Sequence, residues 1–535
     1  MSHAPVAKDV VIVGAGFAGI YALHKMRELG LDAVVLERGT GVGGTWFWNR
    51  YPGARCDAES VFYSYSFSDE LDQEWDWTER FPTQGEILKY LNHVVDRFGL
   101  ADGIELETEV VSAVYDQQAN SWTVRTAAGG SYTARYCIMA TGCLSIGRIP
   151  DIEGLEDFQG EVYHTGSWPH EGVDFAGKRI AVIGTGSSGI QAIPVIAKEA
   201  RHLTVFQRTP NFTVPARNAP LDPEYVRDIK QQLPELRKKA RYSSNGAAYD
   251  LNPKGALEVS EAERRSVYQK HWNEGGPLYM AAFADLLVNE KSNCTAVEFL
   301  HSKVDEIVDD PRTAELLKPT GYPMGAKRIC VDTDYFATFN RDNVELVDLF
   351  ATPIERLTRQ GIATSNEEYE FDVVVFATGY DAMTGALLKI DIRGRGGLEL
   401  RDKWYEGPKT YLGLAIAGFP NLFTVTGPGS PSVLSNVVAS IEQHIEWIAD
   451  HLDYARSHGI ERSEALPEAE QAWVEHVNEV ADLTLYPKAN SWYLSANVPG
   501  KPRIFMPYVG GVGPYRVKCE EIAANNYEGF ALASN

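Results

Sequence analysis

The chain opens with a short apolar run that ends in a glycine-rich turn. Residues 9–13 are mostly β-branched and meet Gly14-Ala15-Gly16-Phe17-Ala18-Gly19, after which a helical pattern continues through Arg27. A second apolar run, residues 31–36, stops at Glu37. Short β-branched runs indicate strands, and the spacing between them indicates a helix. The pattern predicts strand, glycine turn, helix and strand, which is the order of a dinucleotide-binding unit.

The same order returns farther along the chain. Residues 179–183 lead into Gly184-Thr185-Gly186-Ser187-Ser188-Gly189, and a helix is predicted to about Lys198. The apolar run 203–206 follows and ends at Gln207 and Arg208. The chain is therefore predicted to carry two dinucleotide-type units.

The remaining pattern predicts a hairpin, a helical stretch and returning strands. Residues 122–126 and 131–134 predict a hairpin, whereas residues 221–310 lack strand signals and are rich in charged helix formers. We interpret the latter as a helical insertion within the second unit. Strands that return to that unit are predicted at 328–331, 344–346 and 373–376. Two late helix faces are predicted by Ile441, Ile445, Ile448 and Leu452, and by Trp473, Val477 and Val480.

Composition and charge exclude several classes of protein. The 535 residues are 44% hydrophobic and 23% charged, as in packed globular chains, and the net charge is −23. Such acidity argues against binding nucleic acid or a membrane surface, although a small anionic cofactor fits a locally basic pocket. The uncharged stretch 410–441 is interrupted by glycine and proline, so we expect no membrane-spanning helix.

The six cysteines contain no C-x-x-C pair, so a disulfide scaffold, a zinc site and a dithiol redox centre lose support. We expect no metal site. Scattered free thiols and a start without a signal-type sequence point to a cytoplasmic location.

The first glycine turn has the features of an FAD site. Its glycines permit the tight turn, the approach of a pyrophosphate and the packing of helix on strand, and the phosphates meet the helix N-terminus. Glu37, 23 residues after Gly14, stands where a carboxylate accepts hydrogen bonds from ribose hydroxyls. We assign this unit to FAD because FAD units commonly stand at the N-terminus. A packing turn without cofactor is the alternative.

The second unit differs from the first at the end of its second strand, the position that distinguishes NADPH from NADH. Arg208 lies 24 residues after Gly184, with Thr209 beside it and no acid at that strand end. A guanidinium pairs with a 2′-phosphate, so we predict NADPH rather than NADH. Arg208 as a plain surface charge is the alternative. Lys327 is either a second cation for the phosphate or an ordinary solvated lysine.

Several other residues invite a chemical interpretation. The loop Gly43-Gly44-Thr45-Trp46 suits a flat ring lying on backbone, and Asp57 is either the partner of a cation near that ring or a turn residue. His164 is either a general base or a linker histidine, and we favour the linker role. Matched turns, Ala140-Thr141-Gly142 and Ala377-Thr378-Gly379, mark candidate crossings between the two units.

These motifs together resemble the FAD- and NADPH-dependent Baeyer–Villiger monooxygenases, close to the cyclohexanone monooxygenase group. The resemblance covers nearly the whole chain, including both glycine turns, the GGTW loop, Lys327-Arg328 and Ser491-Trp492-Tyr493. The family fingerprint, which separates these enzymes from flavin N-oxygenases, is matched by Phe158, Gly160, His164, Trp168 and Pro169.

The resemblance implies an α/β fold with two Rossmann-like domains, both discontinuous, and a helical insertion. It implies an FAD-binding domain at 1–145 and 381–535, with a mobile substrate and NADP loop near 485–505. The NADP-binding domain would span 150–215 and 326–380, and the insertion 216–325.

The implied reaction uses NADPH and O₂ to convert ketones, cyclic ones first among them, to esters or lactones through a C4a-peroxyflavin. Arg328 would stabilise the peroxide and its adduct, and Asp57 would orient Arg328. His164 and Trp168 would couple domain motion to cofactor binding.

Further binding residues follow from the resemblance. FAD would be bound by Gly14, Ala15, Gly16, Phe17, Ala18, Gly19, Glu37, Gly44, Thr45, Trp46, Asp57, Tyr63 and Val110. NADP would be bound by Arg55, Gly184, Thr185, Gly186, Ser187, Ser188, Gln191, Arg208, Thr209, Lys327, Arg328 and Trp492. Leu434 and Ser435 would contact the ketone or serve only in packing.

Two other classes of function stay open at this point. An N- or S-oxygenating flavin monooxygenase shares both units, although the fingerprint counts against it. A flavin-binding sensor requires neither an Arg328–Asp57 pair nor an NADPH-selective unit. The sequence leaves the particular ketone, the regiochemistry and the oligomeric state unassigned.

Overall fold

A large sheet forms the first half of the architecture. The computed structural model describes residues 4–534, and every statement below concerns that range. Six of the strands neighbour one another in the order Val110–Asp116, Ser121–Thr126, Ser131–Met139, Val6–Val13, Ala33–Leu36 and Ile104–Glu105. Asp391–Arg393 joins one edge, and Leu422–Thr424 pairs in parallel with the end of Ser131–Met139. The predicted hairpin is confirmed as the antiparallel pairing of Ser121–Thr126 with Ser131–Met139.

A second sheet is entirely parallel. Its strands run in the order Val344–Asp348, His202–Gln207, Arg179–Ile183, Val373–Phe376 and Glu161–His164. A parallel sheet of this kind is buried by helices on its faces, and its two central strands are nearly fully buried. The predicted α/β class is confirmed.

Three small sheets complete the strands. They are Thr213–Pro215 with Cys330–Asp332, the antiparallel Ile354–Leu357, Gly361–Thr364 and Glu368–Glu370, and Arg462–Ala465 with Phe530–Ala533.

The α-helices fall mainly in three stretches of the chain. The first stretch contains Phe17–Glu28, Thr45–Trp48, Asp69–Glu74, Gln84–Arg97 and Ser187–Glu199. The second contains Pro223–Arg241, Glu261–Glu274, Glu290–Ile307, Pro311–Leu317 and Tyr335–Thr338. The third contains Gly385–Lys389, Leu400–Lys403, Val437–Ser457, Pro467–Asp482 and Val512–Ala524. No strand lies between Pro215 and Cys330 in this part of the chain.

One predicted strand was wrong in position and partner. Residues 328–331 were expected to return to the second sheet, but the strand is Cys330–Asp332 and it pairs with Thr213–Pro215. Arg328 lies before the strand, and its side chain contacts Asp57 and the backbone of Val433. The expected strands at 344–346 and 373–376 do return to the second sheet.

The chain crosses between the two sheets twice. The first crossing follows Ser131–Met139 and ends in Glu161–His164, and the second leads from Val373–Phe376 to Asp391–Arg393. The crossings begin at the two matched Ala-Thr-Gly turns. Each turn lies against the first glycine of a glycine-rich turn, since a Cβ at Gly14 would stand 2.7 Å from Ala140 O and one at Gly184 2.5 Å from Ala377 O.

Candidate active site

An arginine–carboxylate pair lies where the two halves of the architecture meet. Arg328 donates from Nε and Nη2 to the two carboxylate oxygens of Asp57, each at 2.7 Å. Its Nη1 donates to the carbonyl oxygen of Val433 at 2.8 Å. The Arg328 side chain remains 37% exposed. The guanidinium is thus fixed on two sides and accessible on another.

Asp57 and Arg328 stabilise each other's charged forms. Burial acts to raise the pKa of Asp57, but the Arg328 charge and hydrogen bonds overcome it and hold that pKa below its usual range. The carboxylate in turn raises the pKa of Arg328 above its already high value. Because an arginine does not lose its proton near neutral pH, the site presents a permanent cation.

The first glycine turn fits the pyrophosphate of a dinucleotide. Gly14 has a φ of +102°, and a Cβ on Gly19 would meet Gly14 O at 1.7 Å, so both positions require glycine. The helix Phe17–Glu28 begins after Gly16 without a side-chain cap. Its first N–H groups are therefore available to phosphate oxygens.

Glu37 lies buried beside this turn. Its Oε2 accepts from the N–H of Ala15 at 2.7 Å, and its Oε1 accepts from the N–H of Gly39 at 2.7 Å. Each oxygen retains a lone pair, and a carboxylate so oriented fits the hydroxyl donors of a ribose.

The other residues expected to bind FAD surround the same turn. A Cβ on Gly44, just before the helix that Thr45 begins, would stand 2.9 Å from the Cα of Gly16. Trp46 Nε1 donates to the hydroxyl of Tyr63 at 3.1 Å, and the Tyr63 ring lies 5.4 Å from the ring of Phe17.

Val110 belongs to a different hydrophobic cluster from these side chains. It begins a strand two residues after Thr108, whose N–H donates to the Glu37 carbonyl oxygen at 2.7 Å. The structure therefore brings Val110 near the Glu37 end of the turn, on another face of the sheet.

The second glycine turn repeats this geometry and is more open. The helix Ser187–Glu199 begins after Gly186 without a side-chain cap, and a Cβ on Gly186 would meet nothing within 4 Å. Thr185 Oγ1 donates to Thr209 O at 3.2 Å, which ties the turn to the end of the next strand. A second dinucleotide phosphate fits here.

Two cations without a carboxylate lie near the second turn. Arg208 is exposed, and the ammonium of the half-buried Lys327 lies 4.5 Å from the centre of the Tyr322 ring. Burial, with a contribution from the positive charge of Arg208, lowers the pKa of Lys327 to about 8. Neither residue forms a salt bridge within residues 4–534. A cation pair of this kind fits a phosphate monoester such as the 2′-phosphate of NADPH.

Arg55 and Gln191 connect the first unit to the second. Arg55 Nη1 donates to Glu79 Oε2 at 2.9 Å and to Phe81 O at 3.1 Å, so it has a carboxylate partner that the sequence did not reveal. Gln191 Nε2 donates to Arg55 O at 3.1 Å and its Oε1 accepts from the Tyr51 hydroxyl at 2.8 Å.

The two serines of the second turn also face this junction. Ser187 Oγ lies 3.5 Å from Cys330 Sγ. Ser188 follows it in the first turn of the helix Ser187–Glu199, which also carries Gln191.

The fingerprint residues lie at the crossings between the two sheets. His164 Nδ1 accepts from the N–H of Gly166 at 2.9 Å, and the ring meets Tyr380 with centroids 6.0 Å apart. Burial lowers the pKa of His164, which favours the neutral ring. A histidine buried between the two crossings fits a linker role better than proton transfer.

The rest of the fingerprint packs around the first crossing. A Cβ on Gly160 would stand 2.5 Å from the ring of Phe158. The N–H of Trp168 donates to Trp48 O at 3.2 Å, and Pro169 O accepts from the N–H of Gly172 at 3.2 Å.

The segment 485–505 is docked on the second crossing. Lys501 forms an ion pair with Asp381 and donates to Thr384 Oγ1 at 2.9 Å. Asn497 Nδ2 donates to Tyr380 O at 2.7 Å. Trp492 lies in this segment, in the 3₁₀ turn Trp492–Leu494, and its ring packs on that of Tyr493 at 4.3 Å.

The expected substrate residues adjoin the carbonyl that binds Arg328. Leu434 is half-buried in the cluster that contains Tyr493. Ser435 Oγ donates to Ser432 O at 2.9 Å and lies 2.8 Å from Ser440 Oγ. Sequence reasoning missed the Val433 carbonyl, because a backbone acceptor carries no signature in the residue type.

Residues 4–534 contain no group of three or more histidine, cysteine or acidic side chains placed to hold a metal ion. No helix among them has the length and apolarity needed to cross a membrane.

Known proteins resemble this chain over its whole length. The family model for pyridine nucleotide-disulphide oxidoreductases matches residues 11–271. A phenazine N-monooxygenase of Lysobacter antibioticus is 44% identical over 98% of this chain and 97% of its own. A Baeyer–Villiger monooxygenase of Pseudooceanicola batsensis is 42% identical over 98% and 95%, and a cyclohexanone 1,2-monooxygenase of Acinetobacter is 40% identical over 98% and 96%.

Solved structures give the same result for the fold. Oxidized steroid monooxygenase bound to NADP superposes with a TM-score of 0.95 and 50% identity, over 99% of this chain and 100% of the other. The complex of OTEMO with FAD and NADP superposes with a TM-score of 0.96 and 39% identity, over 99% and 100%.

Proposed function

Because the chain belongs to the family of FAD- and NADPH-dependent Baeyer–Villiger monooxygenases, we propose that Arg328 and Asp57 form the oxygenating centre of a ketone monooxygenase. The overall reaction is ketone, O₂, NADPH and a proton giving ester or lactone, water and NADP⁺. One oxygen atom enters the bond between the carbonyl carbon and its neighbour, and the other leaves as water. The two electrons that balance this come from NADPH.

Bound FAD, reduced by NADPH, supplies the activation of O₂. The chain's own residues supply charge and orientation. Asp57 fixes the plane of the Arg328 guanidinium through two hydrogen bonds. The positive charge stabilises the negative oxygen that develops when the carbonyl carbon is attacked, and its high pKa prevents it from protonating an anionic oxidant.

The two cofactors are assigned to the two glycine turns. The first turn and Glu37 would hold FAD, with Glu37 at its ribose, and the second turn with Arg208 and Lys327 would hold NADPH by its 2′-phosphate. The unsatisfied helix N-termini and the unpaired cations support this assignment. The FAD-binding domain then comprises 1–145 and 381–535, the NADP-binding domain 150–215 and 326–380, and the insertion 216–325.

The observation that carries the proposal is the Arg328–Asp57–Val433 arrangement. It places one fixed, accessible cation at the junction of the two nucleotide units. A simple reductase or a flavin sensor requires no such group. Leu434 and Ser435 adjoin it and are proposed to line the ketone site, and Trp492 is proposed to contact NADP.

Product analysis tests the proposal. Purified protein with FAD, NADPH and ¹⁸O₂ is given cyclic, linear, aryl and steroid ketones, and the products are identified by mass spectrometry. We expect an ester or lactone that carries one ¹⁸O atom from at least one ketone. NADPH oxidation that yields only hydrogen peroxide with every ketone would contradict the proposal.

N-oxygenation is a second candidate, and one observation favours it. A relative 44% identical over 98% of the chain is named a phenazine N-monooxygenase. The shared fold therefore serves both kinds of acceptor, and the lining near Leu434 decides between them. Phenazine in the same ¹⁸O₂ assay tests this candidate, because an N-oxide in place of all esters would establish it.

The partners follow from the same chemistry. We propose O₂ and a small ketone as substrates, no nucleic acid, and a cytoplasmic location. Support comes from the acidic charge of −23 and from the six free cysteines, which suit a reducing compartment.

A further inference from the structure

Asn436 directly follows residues 433–435, a stretch that we call the ketone loop. This loop includes the Val433 carbonyl, which accepts from Arg328 Nη1 at 2.8 Å, and the two residues proposed to line the ketone site. Asn436 is half-buried and is the N-cap of the helix Val437–Ser457. The position of Asn436 therefore fixes one end of the ketone loop.

The Asn436 side chain uses its acceptor and its donor on different partners. Its Oδ1 accepts from the N–H of Val438 at 3.2 Å, which caps the helix, and its Nδ2 donates to the carbonyl oxygen of Phe62 at 2.6 Å. Phe62 is buried and lies five residues after Asp57 in the sequence. The amide thus ties the start of the helix to the stretch of chain that carries the carboxylate partner of Arg328.

The backbone of Asn436 is anchored to the predicted helical insertion. Its N–H donates to the carbonyl oxygen of Asn245 at 2.8 Å. Asn245 belongs to a tight turn, residues 243–247, in which the Oδ1 of Asn245 accepts from the N–H of Ala247 at 3.1 Å. Asn436 therefore joins the insertion to the ketone loop.

The turn 243–247 is also held from the C-terminal part of the chain. The N–H of Val512 donates to Ser244 O at 3.0 Å, and the N–H of Gly513 donates to Ser243 O at 2.9 Å. Because these contacts come from a separate helix, the turn offers its carbonyl acceptor at a fixed position.

Gly246, in the middle of this turn, packs directly on Asn436. It has a φ of +71°, and a Cβ there would stand 3.2 Å from the Cβ of Ala439 and 3.4 Å from the Cβ of Asn436. Both distances are shorter than the optimal separation of two carbon atoms. A larger residue at position 246 would therefore press on the start of the helix.

We propose that Asn436 is a positioning residue: anchored to a carbonyl of the first unit and to a carbonyl of the turn 243–247, it sets the shape of the ketone loop. It thereby keeps the Val433 carbonyl on Arg328. The proposal rests on the proposed function in one respect, namely that the ketone lies at this loop. The helical insertion then influences ketone binding through its turn.

Asn436→Asp tests the contact with Phe62. At about pH 8 an ionised aspartate still caps the helix, but it has no N–H to donate to the Phe62 carbonyl. The matched control is Asn289→Asp. Asn289 is exposed, and within residues 4–534 its side-chain hydrogen bonds are those of the cap of the helix Glu290–Ile307. The measured quantities are the KM for the ketone, the KM for NADPH, the rate of anaerobic flavin reduction and the melting temperature.

We expect Asn436→Asp to raise the KM for the ketone by about tenfold, because the Phe62 carbonyl loses its donor and faces a negative charge. The KM for NADPH and the rate of flavin reduction should stay within about twofold of the parent, since hydride transfer to FAD does not involve the ketone. A purely structural role would change all these quantities together with the melting temperature. A ketone KM equal to that of the Asn289→Asp control would overturn the proposal.

Gly246→Ala tests the contribution of the insertion. Its control is Gly459→Ala, because Gly459 has a similar φ of +65° and a Cβ there would meet nothing within 4 Å. Both substitutions carry the strain of a left-handed residue, and only the first presses on Asn436. We expect the ketone KM to rise in Gly246→Ala and not in Gly459→Ala. Equal values in the two variants would overturn the role of the turn.

A second measurement is independent of turnover. Crystal structures of the FAD-loaded parent and of Asn436→Asp give the distance from Val433 O to Arg328 Nη1, which is 2.8 Å in the parent. We expect this distance to exceed about 3.5 Å in the variant, beyond hydrogen-bond range, while Arg328 stays paired with Asp57.

The kinetic and structural measurements separate the possible failures. An unchanged distance contradicts the positioning role of Asn436, whatever the enzyme makes. A lengthened distance in a protein whose parent forms no ester from any ketone leaves the positioning role intact and contradicts the proposed function.

Discussion

At the scale of single residues, the second nucleotide turn is defined by charge. Arg208 and Lys327 are close enough for one to lower the pKa of the other, and neither has a carboxylate partner in the described chain. Two like charges held together are unfavourable unless an anion binds between them. We therefore propose that the pair determines which nicotinamide cofactor is bound.

Replacement of Arg208 by alanine should raise the KM for NADPH by about tenfold to a hundredfold and change the KM for NADH little, because a charged hydrogen bond to phosphate contributes about 1.5–3 kcal/mol. Steady-state kinetics with both cofactors measure the ratio. Arg179→Ala is a useful control, since that arginine pairs with Asp372 and Glu370 elsewhere on the second sheet. Equal losses with both cofactors would show that Arg208 supports the fold instead.

Lys327 should make NADPH binding depend on pH. Its lowered pKa, about 8, means that the free protein loses this charge as pH rises above 8. The protonated form binds the phosphate better, so the Kd for NADPH should rise between about pH 7.5 and 9.5, while that for NADH stays flat. Titration calorimetry at several pH values gives both constants. A flat NADPH profile, or the same slope with Lys327→Met, would exclude Lys327 from the phosphate site.

The residue scale also shows what the sequence could predict. Glu37 and Arg208 were found from spacing, because a glycine turn fixes where the end of the next strand lies. The pairing of Arg328 with Asp57 followed from family resemblance, since the two are far apart in sequence. The Val433 carbonyl and the Glu79 partner of Arg55 were missed, because both contacts arise only from tertiary packing.

At the scale of elements, segment 485–505 buries Tyr493 and Phe505 in a hydrophobic cluster. Lys501 with Asp381 and Asn497 with the Tyr380 carbonyl attach the segment to the second crossing. Such an element suits a cover that closes over bound cofactor and excludes water.

Trp492→Ala should therefore lower ketone turnover and increase hydrogen peroxide per NADPH several-fold, because water then reaches the site. Trp492→Phe keeps most of the packing on Tyr493 and removes the indole N–H. It therefore distinguishes a role of the ring in excluding water from a role of the N–H as a hydrogen-bond donor. Coupling is measured as ester formed per NADPH consumed. Unchanged coupling in Trp492→Ala would exclude the covering role.

The strands also show where the sequence pattern predicts an element correctly and where it does not. Residues 328–331 include the β-branched Ile329 and Val331, yet Arg328 lies outside the strand and contacts two acceptors from distant parts of the chain. Strands 179–183 and 373–376 were predicted correctly because they are central and nearly fully buried, which leaves an apolar run at 180–183 and 373–376. Short edge strands such as Cys330–Asp332 leave no comparable pattern.

At the scale of the whole molecule, the proposed centre is assembled from three stretches of chain. Asp57 comes from the first unit, Arg328 from the end of the helical stretch and Val433 from the C-terminal part. The sequence predicted two nucleotide units and the crossings between them. It could not predict how the units face each other, because that depends on side-chain packing across the junction.

The central claim is that Arg328 serves oxygenation rather than hydride transfer, and Arg328→Ala tests it most directly. Anaerobic mixing with NADPH gives the rate of flavin reduction, and subsequent mixing with O₂ and ketone gives ester and hydrogen peroxide in a single turnover. Arg328→Lys is measured alongside.

We expect flavin reduction in Arg328→Ala to persist within about tenfold of the parent, while ester yield falls by about 10²–10³ and hydrogen peroxide replaces it. Arg328→Lys should restore little, because lysine lacks the planar fork that engages both oxygens of Asp57. Normal ester yield in the reduced Arg328→Ala protein would contradict the assignment of Arg328 as the oxygenating cation.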